Sequence, residues 1–108
     1  MYVIRANITD IAAETLHASL VGLGVTRMRL APVNGYTRGC EREIVYRGVR
    51  RVVSLCPEFE LEVLVADDAV DGVVGAIIQV TRTFAIDGYV TAAPIEQCYR
   101  LRTGIRES

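Results

Sequence analysis

Residues Phe59 to Ile78 read FELEVLVADDAVDGVVGAII, and within them one kind of periodicity gives way to another. Phe59, Leu61, Val63 and Val65 alternate with Glu60, Glu62 and Leu64, the period of a strand with one buried face. At Asp67 and Asp68 the pattern changes, and two carboxylates suit the positive end of a helix dipole. Val70, Val73, Val74, Ile77 and Ile78 beyond them predict an apolar helical stripe. Gly72 and Gly75 each cost roughly 1 kcal/mol relative to alanine within a helix, which close packing on a sheet would explain. The segment predicts a strand running directly into a helix, so the fold turns on whether a second such unit exists.

The N-terminal third supplies it. Tyr2 to Asn7 alternates as a strand, and Thr9 and Asp10 offer an N-cap and a first-turn acid. Ile11, Leu16, Leu20 and Leu23 lie close to one helical face, and Gly24 stands where a left-handed C-cap is expected. Val25 to Val33 then alternates, Met28 and Leu30 against Arg27 and Arg29, as a second strand. After a turn at Asp87-Gly88, Tyr89 to Ala92 and Ile95 to Leu101 are predicted to be extended, with Arg100 and Arg102 projecting from one side. Strand, helix, strand, strand, helix, strand is the split βαβ arrangement, an α+β, ferredoxin-like βαββαβ sandwich. That fold hosts enzymes, metal carriers and regulators, so the function must be argued from sites.

Composition narrows the choices. The 108 residues make one domain, 1–108, and their 51% hydrophobic content favours an oligomer. Twelve basic against thirteen acidic residues give a formal charge of -1, which argues against a nucleic-acid or membrane surface. Every cation among the Lys and Arg is an arginine, so any phosphate contact through a permanent charge is a guanidinium fork. The most apolar run, Ala69 to Val80, is interrupted by Asp71 and too short to span a bilayer, and MYVIRANITD at the start is no signal peptide. The expectation is a soluble, cytoplasmic protein without direct membrane insertion. Cys40, Cys56 and Cys98 are odd in number and widely spaced, which fits neither a disulfide framework nor a zinc site. His17 is the sole histidine, so a histidine-rich metal site is excluded and no metal is expected.

Residues 35–51, GYTRGCEREIVYRGVRR, separate the second and third strands. A connection of this length is seldom filler. From Thr37 to Arg51 it carries five Arg less two Glu, a net charge of +3 that suits an acidic or anionic partner surface.

Taken in order, these pieces resemble the PII signal-transduction family. The resemblance covers nearly the whole chain: Gly35 and Arg38 opening the loop, YRG at Tyr46 to Gly48, VADD at Val65 to Asp68, Thr83 followed by Asp87-Gly88, and RLRTG at Arg100 to Gly104. It implies a homotrimer with a long T-loop, at about 37–53, that plugs into target proteins, and an adenine nucleotide in the cleft between neighbouring subunits. By the resemblance, Gly35 and Arg38 meet the phosphates from the T-loop base, Asp87 and Gly88 from the B-loop, and Arg100 and Arg102 from the adjacent chain. Thr26 and Leu64 fall where the family lines the base pocket, Thr83 where it supplies a hydroxyl, and Arg29, on the exposed face of the second strand, could add a contact. Arg42, Tyr46, Arg47, Arg50 and Arg51 would form the partner-binding loop, the target being a membrane transporter or a metabolic enzyme. Arginines in such a loop are also what an ordinary solvated surface carries.

The departures are specific. Gly39 stands where the family has a glutamine holding magnesium and 2-oxoglutarate, and Glu58 where it has a lysine reaching the oxo acid. The B-loop, usually TGxxGDGK, reads TFAIDGY, one residue shorter, with Phe84 at a glycine position and Tyr89 in place of the phosphate-binding lysine. Arg51 replaces the tyrosine that some members uridylylate, and Val49 the serine commonly phosphorylated. The reading is a divergent, non-catalytic PII-like regulator favouring AMP or ADP over ATP, with 2-oxoglutarate sensing lost, room for a small anion such as bicarbonate, and no cofactor. Cys40 reads as an exposed thiol or a redox sensor flanked by Arg38 and Arg42, and Cys56 and Cys98 as core-filling residues. The alternatives are a ligand-blind trimeric interaction module and, more remotely, an acylphosphatase-like enzyme. The latter needs a phosphate loop after the first strand, where NITDIA has neither glycine nor arginine.

Overall fold

The computed structural model describes residues 1–36 and 40–107, Arg42 through its backbone alone. In chain order the elements are β1 (Tyr2–Ile8), α1 (Asp10–Gly22), β2 (Arg29–Tyr36), β3 (Arg42–Tyr46), β4 (Val49–Val53), β5 (Leu55–Val65), α2 (Val70–Thr83) and β6 (Val90–Pro94). A single 3-10 turn, Asp67–Ala69, leads into α2. β1, β2, β5 and β6 form an antiparallel sheet in the order β2-β5-β1-β6, the expected βαββαβ core, and β3 pairs with β4 as a separate hairpin.

Both helices lie on one face of the sheet, because each element gives that face its apolar positions. Ile4, Ala6 and Ile8 of β1 and Leu61, Val63 and Val65 of β5 meet Ala12, Leu16 and Leu20 of α1 and Val73, Ile77 and Val80 of α2. Two helical stripes differ from expectation. Ala12, not Ile11, continues the four-residue spacing of Leu16 and Leu20, and Ile11, about 100° away round the helix, is 68% exposed. In α2 the stripe runs through Val80, leaving Ile78 exposed. The expected packing of Gly72 and Gly75 on the sheet is absent, for a Cβ at either meets nothing within 4 Å. Their side of α2 faces open space.

The helices end alike but with different residues. At α1, Gly24 donates its N–H to the Val21 carbonyl (3.0 Å) and Val25 to that of Leu20 (3.0 Å), while Gly24 takes φ +87°. That is a Schellman cap. At α2, Ala85 donates to Arg82 (3.1 Å) and Ile86 to Thr81 (2.8 Å), with Ala85 at φ +54° where glycine is usual. Thr9 occupies the N-cap of α1, yet its hydroxyl makes no capping bond.

The stretch read as a long loop is largely an arm. β1 stops pairing with β5 at Ile8 opposite Phe59, whereas β2 follows β5 outward to Tyr36 opposite Leu55. Pro57, which lacks an amide hydrogen, lies in this two-stranded ribbon opposite Asn34, beyond the last residue of β5 that β1 pairs, so it asks for no bond to β1. β3 and β4 follow, joined through Arg47 (φ 51°) and Gly48 (φ 75°), the left-handed pair of a type I′ turn that matches strand twist. The extents are 58 × 29 × 20 Å and the radius of gyration 17.0 Å, against about 13 Å for a compact chain of this length.

The tail also departs from the extended segment expected at Ile95 to Leu101. Ile95 donates to the Met1 carbonyl (2.9 Å), after which the chain reverses: Tyr99 bridges Arg106, Arg100 donates to Ile105 (3.0 Å) and Gly104 to Arg100 (2.7 Å).

Candidate functional site

The returning tail closes one side of a 580 Å³ cleft against the open sheet face. Thr26, Arg29, Leu64, Arg100 and Arg102 all line it, so five of the ten residues expected to bind nucleotide meet in one place. Leu64 alternates out of the core along β5 and is 49% exposed, an apolar floor beside four guanidinium groups counting Arg27. Arg27, Tyr99 and Glu107 were not foreseen as lining residues.

The cleft's arginines differ in what already holds them. Arg100 Nε donates to Glu107 Oε1 at 2.5 Å, and this hydrogen bond, with the attraction of the same carboxylate, raises the pKa of the guanidinium. Arg29 lies 3.9 Å from Glu62, whose other oxygen accepts from Arg5 at 3.3 Å. Arg102 has no ion pair among the described residues and stands at the turn of the tail, free to meet an anion.

The remaining expected residues lie elsewhere. Asp87 and Gly88 line a separate 210 Å³ pocket beside the end of α2, together with Tyr89. Thr83 donates its hydroxyl to the Gln79 carbonyl (2.9 Å), an internal helix bond that a ligand would have to replace. Gly35 is in β2 at the root of the arm, opposite Cys56. An ideal Cβ on Gly35 would collide with the Glu58 side chain, so the carboxylate occupies the space a larger residue would fill. Arg38 lies outside the described residues, as does Gly39. A single chain therefore presents the expected set as separate patches.

On the arm, Ile44, Tyr46, Val49 and Arg51 share one face and Glu43, Val45, Arg50 and Val52 the other. Arg50 is paired with Glu43 (3.3 Å), and the Arg47 guanidinium stands 5.4 Å from the centre of the Tyr46 ring. Arg51 makes no ion pair among the described residues. Tyr46 and Val52 are 68% and 72% exposed, so apolar as well as cationic surface is on offer.

The cysteines overturn the sequence reading. Cys40 and Cys56 form a disulfide, with Cα atoms 6.3 Å apart, within the range such a bond requires. Sixteen residues separate them, and only the arm's fold makes them neighbours. Cys98 is free and half-buried in the tail, outside the core. Among the described residues no cluster of His, Cys, Asp and Glu is fit to hold a metal, and no helix is long and apolar enough to cross a membrane.

Comparison with known proteins identifies the family. The family model described as nitrogen regulatory protein P-II matches residues 1–105. A nitrogen regulatory protein P-II of Cereibacter sphaeroides is 35% identical over 102 residues, 94% of this chain and 91% of the relative. That of Haemophilus influenzae is 33% identical over the same coverage, and that of Rhizobium etli 30% identical over 109 residues, 100% of this chain and 97% of the relative. An acylphosphatase-like enzyme is thereby set aside. The chain belongs to the P-II nitrogen regulatory protein family and is a non-catalytic signal-transduction protein.

Proposed function

We propose that this chain binds AMP or ADP in preference to magnesium-ATP at clefts between subunits of a homotrimer, and regulates a partner protein through its arm. The observation that carries the reading is the convergence of Thr26, Arg29, Leu64, Arg100 and Arg102 on one 580 Å³ cleft. A hydroxyl, an apolar floor and several guanidinium groups suit a base and its phosphates. In the trimer, Gly35, Arg38, Thr83, Asp87 and Gly88 of a neighbouring copy complete the site. The preference for fewer phosphates rests on Gly39 and Tyr89, which replace the magnesium-holding glutamine and the phosphate-binding lysine of the resembling family.

Assembly has independent physical support. The chain exposes 8146 Å², whereas a compact monomer of its mass exposes about 6,000 Å². The sheet face not covered by helices is also open, with Arg5, Glu60 and Glu62 knit by ion pairs. Light scattering at three chain masses supports the trimer. A monodisperse monomer at micromolar concentration removes the intersubunit site.

The arm's Arg42, Tyr46, Arg47, Arg50 and Arg51 then engage a transporter or a metabolic enzyme in the cytoplasm. Titration calorimetry with AMP, ADP and magnesium-ATP, on the wild type and Arg102→Ala, tests the ligand assignment. Weakened AMP and ADP binding in the variant supports it. Tightest binding of magnesium-ATP refutes the preference, and no binding at all leaves a ligand-blind trimeric module as the function.

A further inference from the structure

We propose that Cys40 and Cys56 are a reversible thiol–disulfide switch that fastens or releases the root of the arm. Three placements carry the inference. The bond spans 16 residues of sequence and encloses the whole of the β3–β4 hairpin, so it ties the beginning of the arm to β5, the strand into which the arm returns. Cys56 lies in the two-stranded ribbon beyond β1, and both cysteines are outside the hydrophobic core and half-buried. Its sulfur is thus not sealed under packed side chains as a purely structural bond in a core is. The body, by contrast, has a packed core made by β1, β5 and both helices, none of which needs the bond for its own closure.

The position also determines what the switch controls. Cys56 is directly opposite Gly35, and Glu58, two residues further along the same face of β5, contacts Gly35. Closing a loop of this length removes alternative arrangements of the enclosed chain. Oxidation therefore restricts the hairpin relative to the ribbon, and reduction frees it without disturbing the sheet. A bond between half-buried cysteines outside the core, in a compartment that keeps thiols reduced, is usually a transient, sensing one.

The chemistry balances as thiol–disulfide exchange. A low-molecular-weight disulfide oxidant accepts two electrons from the Cys40 and Cys56 thiols and leaves as two thiols, which retain the two protons, while one S–S bond forms in the protein. A dithiol reductant of the thioredoxin class reverses it through a mixed disulfide, becoming a disulfide itself. Cys98, in the tail, takes no part.

The test uses the full chain. It is equilibrated without denaturant in oxidised glutathione or in reduced thioredoxin, then trapped with N-ethylmaleimide in denaturant, peptide-mapped, and in parallel exposed to trypsin. Expected are a Cys40–Cys56 bond in the first condition, two alkylated thiols in the second, and cleavage after Arg47, Arg50 or Arg51 faster by on the order of tenfold when reduced. Cys40→Ser should cleave at one rate in both conditions, whereas Cys98→Ser should retain the difference. The proposal is overturned by free thiols in oxidised glutathione, by pairing with Cys98 or with another copy, by a bond that thioredoxin does not reduce in the folded protein, or by wild-type cleavage rates within twofold of each other. None of these readouts depends on nucleotide binding, so the switch and the ligand assignment stand or fall separately.

Discussion

Arg100 and Glu107 face each other across the turn of the tail, carboxylate to guanidinium, at the mouth of the cleft. The cleft thus carries its own internal anion. A bound phosphate must compete with Glu107 for Arg100 or share it. Both side chains are well exposed, at 59% and 36%, so the pair is a weak one that solvent screens.

Glu107→Gln should therefore tighten AMP and ADP binding about two- to fivefold at low salt, the span expected from an exposed ion pair. The gain should fade as salt screens the competition. Calorimetry in low and physiological salt measures it. Weaker binding by the variant at both salt levels would show that Glu107 orients Arg100 rather than competing for it.

Glu58 makes a second, opposite prediction at the root of the arm. Its carboxylate fills the space above Gly35, so a dicarboxylate arriving there meets a like charge, worth on the order of a few kcal/mol if water is largely displaced. With magnesium and nucleotide present, 2-oxoglutarate should show no micromolar binding. A saturable micromolar isotherm under those conditions would mean that the oxo acid is held elsewhere or that Glu58 moves aside.

The two helix ends give a prediction independent of any ligand. Gly24 and Ala85 occupy equivalent left-handed cap positions at φ +87° and +54°. A residue with a Cβ costs roughly 1 kcal/mol there relative to glycine. Gly24→Ala should destabilise the fold by about that amount, and Ala85→Gly should stabilise it by a similar or smaller one, since glycine loses more entropy on folding. Urea unfolding of both variants checks the signs. Destabilisation by Ala85→Gly would show that its methyl group contributes packing that outweighs the backbone cost.

What the sequence made legible follows from the range of each signal. The strand–helix junction at Asp67 and Asp68 is local and strongly periodic, and it lies where it was read. The helical faces were misjudged by one position because Ile11 is more apolar than Ala12, yet spacing from Leu16 and Leu20, not apolarity, decides which is buried. The arm hid its hairpin because charged and β-branched residues fall there in adjacent pairs rather than in strict alternation, and the Arg47-Gly48 turn has arginine where asparagine or aspartate is the stronger signal. Cys40 and Cys56 could not be matched without β2 and β5 extending past β1 to bring them together. Arg100 and Arg102 were legible as a pair, but Glu107 became part of the same site only through the reversal at Gly104.

Gly72 and Gly75 yield the last prediction, because their environment contradicts the reason first given for them. Neither approaches the sheet, and a Cβ at either meets nothing within 4 Å. Alanine at each site should therefore stabilise α2, by roughly 1 kcal/mol from helix propensity and the reduced freedom of the unfolded chain. Each 1 kcal/mol raises the melting temperature of a domain near this size by about 4–8 °C. The two sites are one turn apart and near enough to couple, so the double variant should show both increments plus or minus a coupling of about 0.5 kcal/mol. Scanning calorimetry of the single and double variants makes the measurement at fixed protein concentration, which holds any contribution from assembly constant. A lower melting temperature for either alanine would mean that another copy or a partner presses against this side of α2. In that case the glycines are there to let a second backbone come close.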